Sequence, residues 1–155
     1  MNLENLPYRK NVAVILFKEG KFLLVNKNEW PEDWWKFVQG GLDEGEGIEE
    51  GAIRELKEEV GTDKVEIVGI SKHNNNYKWD NMEHRIKKKA IGQEQKFVIA
   101  KFIGDDSDIK VDDEEIRVAK WFSLQEVLDF CANNHNLFGM YNGFIPNILE
   151  EFKLR

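Results

Sequence analysis

The sequence has one cysteine, three prolines and no long apolar segment in its 155 residues. A single cysteine excludes an internal disulfide, and we interpret Cys131 as a small buried apolar side chain without chemistry of its own. No stretch approaches the roughly 20 apolar residues of a membrane span, and the opening MNLENLPYRK lacks the apolar segment of a secretory signal. We therefore expect a cytoplasmic protein with no membrane partner.

Positive charge is in the minority, with 22 lysines and arginines against 29 aspartates and glutamates and a formal net charge of -7 at pH 7. Such a chain repels nucleic acid unless a basic patch or a bound metal reverses the field at one place. Its length and its 41% of hydrophobic residues allow one full core. We expect one domain over residues 1–155; no oligomer is predicted.

Apolar runs and helical periodicity predict a mixed set of strands and helices. Strands are predicted at residues 11–17, 21–26, 35–38, 65–71, 94–102 and 116–122. Helices are predicted at residues 47–60, 123–133 and 143–153, and a long mobile loop at 73–89. Hairpins and crossovers in this order favour an α/β layered domain with a mixed β-sheet.

Three glutamates, Glu55, Glu58 and Glu59, lie on the helix predicted at residues 47–60. At about 100° per residue they fall on one edge of its apolar stripe. Partial burial makes this cluster costly, because two like charges at 4 Å repel by about 4 kcal/mol under an effective dielectric of about 20. A divalent cation would remove that cost. The alternative is a solvated acidic face with ion pairs such as Arg54 to Glu58.

A glycine-rich stretch, GGLDEGEG, precedes the acidic helix. It does not fit a phosphate loop, because Glu46 stands where lysine is required, and Glu50 replaces the last glycine of the dinucleotide fingerprint. The acidic stretch at residues 105–115 does not fit a calcium loop, because Lys110 takes a ligand position and the central glycine is missing. Phosphate would therefore have to reach this site together with cations.

The residues from Gly40 to Thr62 resemble the Nudix box. The matching positions are Gly40, Glu46, Arg54, Glu55, Leu56, Glu58, Glu59 and Gly61, and only Thr62 departs, where an aliphatic residue is usual. The stretches YRKNVAVI, WKFVQGG, IGQEQKFVIA and EIRVAKWFS are similar to the bacterial RNA pyrophosphohydrolases and the related diadenosine tetraphosphate hydrolases. Val38 and Ala13 depart from that branch, where proline and glycine are usual.

The resemblance implies a Nudix α/β/α sandwich and a metal-dependent hydrolase that uses Mg²⁺ or Mn²⁺. Glu58 and Glu59 match metal ligands, Glu55 matches a third ligand or the base, and Arg54 would orient them by ion pairing. The predicted metal set is completed by Gly40 and Glu115. For Glu115, a solvated acidic loop is the alternative interpretation.

The resemblance also implies a nucleoside polyphosphate substrate, either the 5′-triphosphate end of RNA or a dinucleoside polyphosphate. The matching substrate-binding residues are Arg9, Gln39, Gln93, Gln95 and Lys96, each of which could instead be an ordinary polar residue of the sheet or a loop. The basic segment 84–89 could hold polyphosphate or remain solvated. The other candidate functions are a housecleaning hydrolase of modified mononucleotides and a catalytically silent nucleotide sensor.

The aromatic and histidine side chains indicate a binding role less clearly than the glutamates do. Trp35 and Trp121 lie in strand-like runs and are predicted to pack in the core. The candidates for stacking on a base are Trp30, Trp34, Tyr77 and Trp79. The three histidines show no metal-ligand spacing and are interpreted as surface or loop residues, at positions His73, His84 and His135.

Overall fold

A six-stranded mixed sheet forms the centre of the protein in a computed structural model that describes residues 3–133 and 143–155. The strands are β1 (Tyr8–Lys18), β2 (Lys21–Lys27), β3 (Val38–Gly41), β4 (Val65–Lys78), β5 (Gly92–Phe102) and β6 (Ile116–Ser123). The helices are α1 (Ile48–Val60), α2 (Met82–Lys88), α3 (Leu124–Asn133) and α4 (Ile145–Glu151). Short 3-10 turns occur at Leu3–Asn5 and Asp106–Asp108.

Strand β1 organises the sheet, whose order is β4-β5-β1-β2-β6. It runs parallel to β5 along one edge and antiparallel to its other partners. On its other edge, the first half of β1 pairs with β3 and its last residues pair with β2. Glu19 and Gly20 join β1 to β2 with φ angles of 50° and 76°, as the favoured two-residue hairpin turn requires.

Two hydrophobic cores lie on opposite faces of the sheet, because successive strand residues point to opposite sides. Ala13 and Ile15 of β1 belong to the core that packs on α3 and α4. Val12, Val14 and Leu16 belong to the core that packs on α1. The layers are therefore helix, sheet and helix, and the predicted α/β/α sandwich with a mixed sheet is confirmed.

Helix α1 forms where its periodicity predicts it. Its buried stripe includes Ala52, Leu56 and Val60, spaced four residues apart. Gly61 ends the helix in the left-handed conformation with φ 73°, and its backbone N–H donates to the carbonyl oxygen of Lys57. Thr62 is buried, and its hydroxyl oxygen accepts a hydrogen bond from the Lys64 backbone N–H at 3.1 Å.

Two sequence predictions are wrong. The strand predicted at 35–38 begins at Val38 and runs through the two glycines, because β3 pairs with β1 up to Gly41. The segment predicted as a loop at 73–89 contains the second half of β4 and helix α2. Its polar residues do not break the strand, because β5 pairs with it through to Lys78. His135 lies outside the described residues.

The described helices can be compared with the length and apolar character of a membrane span. Within residues 3–133 and 143–155, no helix combines the length and the apolar character needed to cross a bilayer.

Candidate active site

A polar cavity of about 390 Å³ lies beside α1, β1 and β3. Its walls bring together most of the residues predicted from the sequence, namely Arg9, Gln39, Gly40, Glu55, Glu58, Glu59, Gln93 and Glu115. Residues that were not predicted to belong to the site also line it, namely Asn11, Lys27, Lys36 and Gly41. Gln95, Lys96 and Arg54 are not part of its wall.

Arg54 connects the acidic residues around this cavity. Its Nε and Nη2 atoms donate to the two carboxylate oxygens of Glu46 at 2.7 and 2.9 Å. Its Nη1 atom donates to Glu55 Oε1 at 2.8 Å and to Glu58 Oε2 at 3.2 Å. Nη2 also donates to the Gly41 carbonyl oxygen at 2.8 Å, which ties the helix to β3. A planar guanidinium with five donors suits this arrangement, and a lysine does not.

These contacts shift the ionisation of both partners. The hydrogen bond from Arg54 and that from the Asp43 backbone lower the pKa of Glu46 to about 2. The Glu46 carboxylate in turn raises the pKa of Arg54 above its ordinary value. Glu46 therefore stays ionised at neutral pH and holds the guanidinium in a fixed place.

Gly40 leaves the space that the Glu55 carboxyl group occupies. A Cβ atom at Gly40 would overlap the carboxyl atoms of Glu55. The backbone here cannot move aside freely, because Gly40 pairs with Val12 in the sheet. Burial raises the pKa of Glu55, and the hydrogen bond from Arg54 opposes that rise. The glycine of β3 and the glutamate of α1 therefore fit together as one contact.

Glu59 is the most deeply buried of the three α1 glutamates that line the cavity, and Lys36 lies beside it. The Lys36 Nζ atom is 3.7 Å from Glu59 Oε1, and both side chains are only 5% exposed. Among the described residues, the other carboxylate oxygen, Oε2, has no hydrogen-bond partner. Burial raises the pKa of Glu59 and lowers that of Lys36, while their mutual attraction opposes both shifts.

Further basic side chains surround the cavity. Lys27 pairs with Glu115 at 3.0 Å, and the Glu115 side chain is half exposed. The Arg9 guanidinium group packs against Gly41, where a Cβ atom would overlap it. Lys88, at the end of α2, lines the cavity as well. The site therefore sets its carboxylates among several cations although the whole chain is acidic.

The basic segment 84–89 divides into residues with different environments. Arg85 is buried, donates to the Trp79 carbonyl oxygen at 2.7 Å and pairs with Glu4 at 3.0 Å. It anchors α2 in the fold. Lys88 instead lines the cavity, whereas Lys87 and Lys89 are exposed and do not. Only part of the predicted basic patch therefore lies at the site.

The glutamines of β5 have two kinds of surroundings. Gln93 lines the cavity and donates to the Tyr77 hydroxyl group at 2.8 Å. Gln95 is buried behind the wall, and its Nε2 atom donates to Asn11 Oδ1 at 2.8 Å and to Gln39 Oε1 at 3.1 Å. Its Oε1 atom accepts a hydrogen bond from Asn75 at 3.2 Å. Gln95 thus supports two residues of the cavity wall and does not itself face the cavity.

The aromatic candidates are distributed unevenly. The Nζ atoms of Lys27 and Lys36 each lie 5.9 Å from the centre of the Trp30 ring, so Trp30 is beside the site. Trp34 packs edge-on against Trp30 at 6.1 Å. Trp79 contacts the His84 ring at 4.2 Å. Trp35 and Trp121 pack against the two cores, as predicted.

The fit of this site to a divalent metal rests on its donors. In the described part of the chain, no three His, Cys, Asp or Glu side chains already form a metal-binding group. Arg54 and Lys36 instead hold the carboxylates. The donors are nevertheless hard carboxylate oxygens, which Mg²⁺ and Mn²⁺ prefer, and the buried Glu59 Oε2 atom is left to accept a cation. The residues present therefore fit such an ion.

Sequence reasoning missed Lys36, whose only local signal is a charged residue inside the aromatic run WWKFV. Its position depends on a distant pairing, because its backbone exchanges two hydrogen bonds with Val25, at 2.9 and 3.0 Å. No pattern within the run itself reveals that partner.

Comparison with known proteins assigns this chain to a family. The NUDIX domain model matches residues 7–139. The RNA pyrophosphohydrolase of Gluconobacter oxydans (strain 621H) is 33% identical over 159 aligned positions, which cover 96% of this chain and 89% of that protein. The RNA pyrophosphohydrolase of Pelagibacter ubique (strain HTCC1062) is 35% identical over 137 positions, which cover 85% of this chain and 87% of that protein.

Among solved structures, the E. coli dihydroneopterin triphosphate pyrophosphohydrolase superposes with a TM-score of 0.65 at 19% identity, over 91% of this chain and 99% of that chain. A likeness at that identity supports the fold. The NUDIX domain model spans most of the chain. The two RNA pyrophosphohydrolases are more than 30% identical to this chain, over 89% and 87% of their own lengths. This protein therefore belongs to the Nudix family of hydrolases, as its sequence predicted.

Proposed function

We propose that this protein hydrolyses a phosphoanhydride bond of a nucleoside polyphosphate with the help of Mg²⁺ or Mn²⁺. The observation that carries this proposal is the cavity in which the α1 glutamates face Arg9, Lys27 and Lys88. A polyphosphate that arrives with a divalent cation would meet carboxylates on one side and basic side chains on the other. We place this activity in one domain that spans the chain.

The carboxylates of α1 would hold the cation. Glu58 and Glu59 would be ligands, Glu55 a third ligand or the base, and Gly40 and Glu115 would complete the set. When held by these residues, such a cation would supply a lowered pKa for a nearby water and charge neutralisation for the phosphate. The Oε2 atom of Glu59 supports this assignment, because it has no hydrogen-bond partner in the part of the chain that the structure describes and a buried carboxylate oxygen without a partner is costly.

Glu55 has the surroundings of a proton acceptor. Its side chain is buried, its pKa is raised, and Arg54 fixes its orientation. A raised pKa brings a carboxylate closer to the pH at which it accepts a proton efficiently. Arg54 is a positioning residue in this proposal, since it holds Glu55 and Glu58 while Glu46 holds its other side.

Substrate phosphates would contact Arg9, whose planar donors suit a phosphate group. Gln39 and Gln93 would contact the polyphosphate or the first nucleotide, with Gln95 as their buried support. Lys96, which stands 3.9 Å from Glu94 and is not part of the cavity wall, would contact only a substrate that extends beyond the cavity. Trp30 is the stacking candidate that lies beside the cavity lysines.

We propose the 5′-triphosphate end of RNA as the substrate, because relatives at 33% and 35% identity are RNA pyrophosphohydrolases. A dinucleoside polyphosphate is the second candidate. It is favoured by the net charge of -7, which opposes a long polyanion more than a small one. A silent sensor is disfavoured because all the glutamates of the box are present.

The test compares kcat/KM on triphosphorylated RNA and on diadenosine tetraphosphate in the presence of Mg²⁺. We expect higher kcat/KM on the RNA. Turnover of the small molecule alone would refute the RNA assignment and leave the reaction class standing.

Two glutamate variants test the metal assignment. Glu59→Gln should abolish turnover while the protein stays folded, and Glu66→Gln, an exposed residue of β4, is the matched control that should keep full activity. A Glu59→Gln variant with near-normal rates would overturn the assignment of Glu59 as a metal ligand.

A further inference from the structure

Lys36 is a buried cation inside the candidate active site. Its side chain is 5% exposed, lines the cavity and ends 3.7 Å from Glu59 Oε1. Its backbone is held by two hydrogen bonds to Val25 of β2, so the sheet and not a loop sets its position. A lysine so deeply buried is costly unless a nearby charge compensates it.

Glu59 offers two positions for positive charge. Lys36 is close to Oε1, whereas Oε2 is buried and, within the described residues, has no hydrogen-bond partner. A carboxylate in this state is stabilised by one resident charge and still has an oxygen for another cation. The two positive charges would then share one carboxylate and repel each other.

An anionic substrate would change this balance. A phosphate group in the cavity brings negative charge to the wall that Lys36 lines. It would attract the ammonium group of Lys36 and the cation on Glu59 at the same time. The repulsion that weakens cation binding in the empty cavity would therefore be relieved when the phosphate is present.

We propose that Lys36 makes divalent-cation binding and polyphosphate binding cooperative, by opposing the cation when it binds alone and contacting the phosphate when both are bound. This inference rests on the function proposed above. Because binding couplings are reciprocal, the cation must strengthen polyphosphate binding by the same factor. Loading of the site is thereby favoured only when substrate and cation are together.

Lys101 provides the control. It lies in β5, its side chain is exposed, and it is not part of the cavity wall. Its charge is therefore screened by solvent, so removing it should change cation binding much less.

The experiment measures Mn²⁺ binding by electron paramagnetic resonance, with and without a non-hydrolysable nucleoside triphosphate analogue. In the wild type, the analogue should tighten Mn²⁺ binding by about tenfold or more, within the usual range of such couplings. Lys36→Met should bind Mn²⁺ about tenfold more tightly than the wild type without the analogue and show a smaller coupling, because only the direct attraction between cation and phosphate remains. Lys101→Met should change either quantity by less than about threefold.

Several outcomes would overturn the inference. A wild type in which the analogue leaves Mn²⁺ affinity unchanged refutes it without any variant. Equal effects of Lys36→Met and Lys101→Met also refute it, and Lys36→Gln repeats the test if the methionine variant does not fold. Loss of Mn²⁺ binding in Glu59→Gln with no effect of Lys36→Met would keep the proposed function and reject the role of Lys36.

Discussion

Replacing Gly40 with alanine would place a methyl group where the Glu55 carboxyl group lies. Strand β3 is held in register with β1 through the pairing of Gly40 with Val12, so its backbone has little freedom to retreat. The side chain of Glu55 must therefore turn away. Its hydrogen bond from Arg54, at 2.8 Å, is then lost.

The expected cost in stability is small. A hydrogen bond between charged groups contributes about 1.5–3 kcal/mol, and the lower end applies because the Arg54 side chain is 25% exposed and keeps its contacts with Glu46. Alanine recovers about 0.5–1 kcal/mol, because glycine is the weaker strand residue. The net loss of about 1 kcal/mol corresponds to a fall in Tm of about 2–4 °C for a chain of this size.

The expected cost in activity is large. If Glu55 is the base or a metal ligand, its displacement should lower kcat by about 100-fold or more. Gly20→Ala is the control, because Gly20 has φ 76° with open space around it and lies away from the cavity. Alanine there should cost about 1–2 kcal/mol through backbone strain and leave kcat unchanged.

Thermal melts and steady-state rates, measured on the same preparations, test whether Gly40→Ala acts through the position of Glu55. A Gly40→Ala enzyme with wild-type kcat would refute the steric argument. A loss of rate in Gly20→Ala that matches the loss in Gly40→Ala would show that general destabilisation, and not the position of Glu55, accounts for the effect.

Three other changes have expected outcomes. Arg54→Lys keeps the charge but loses the simultaneous bonds to Glu46 and Glu55, so kcat should fall about 100-fold with KM nearly unchanged. Lys88→Gln should lower kcat/KM on triphosphorylated RNA about three- to tenfold, whereas Lys87→Gln should not. The pKa of Glu46 is depressed to about 2, so its stabilising contribution is complete above its ordinary pKa of 4.5 and lost as the pH falls towards 2. Glu46→Gln should therefore flatten the fall of Tm over that window.

Each of these outcomes has a counterpart that would contradict it. An Arg54→Lys variant with wild-type kcat would mean that the simultaneous hydrogen bonds to Glu46 and Glu55 are not needed for catalysis. Equal losses in Lys88→Gln and Lys87→Gln would indicate a general charge effect on RNA binding. An acid-melting profile of Glu46→Gln that parallels the wild type would remove Glu46 as the source of the pH dependence.

The elements that sequence reasoning predicts best are those whose signals are local. Helix α1 was predicted at 47–60 and runs over Ile48–Val60, because its apolar spacing and the terminal Gly61 are both readable in one short stretch. Strand β4 was predicted to stop near residue 71 and continues to Lys78. Its polar half is held by β5, through contacts such as Asn75 with Gln95, and no local pattern reveals a partner 20 residues away.

The same distinction applies to the site. Glu55, Glu58 and Glu59 were predicted from one helix and one motif, and all three line the cavity. Lys36 lies in a run of aromatic residues and depends on its pairing with Val25 of another strand. Gln95 was predicted as a substrate contact and is buried behind the cavity wall. A motif identifies residue types, whereas exposure depends on which strands pack in front of them.

The two explanations of the acidic cluster, ion pairing and metal binding, are compatible in this structure. Arg54 pairs with Glu55 and Glu58, and Lys36 is the cation beside Glu59, so the repulsion among the glutamates is already offset by the protein's own charges. This pairing keeps the carboxylates in place before any cation arrives. An incoming cation would share the Glu59 carboxylate with Lys36, whereas Glu58, 59% exposed and held by a hydrogen bond of 3.2 Å, can turn towards it more readily. In the function proposed above, a divalent ion would therefore reach two donors at the lowest cost, namely Glu58 and Glu59 Oε2, which has no hydrogen-bond partner within residues 3–133 and 143–155.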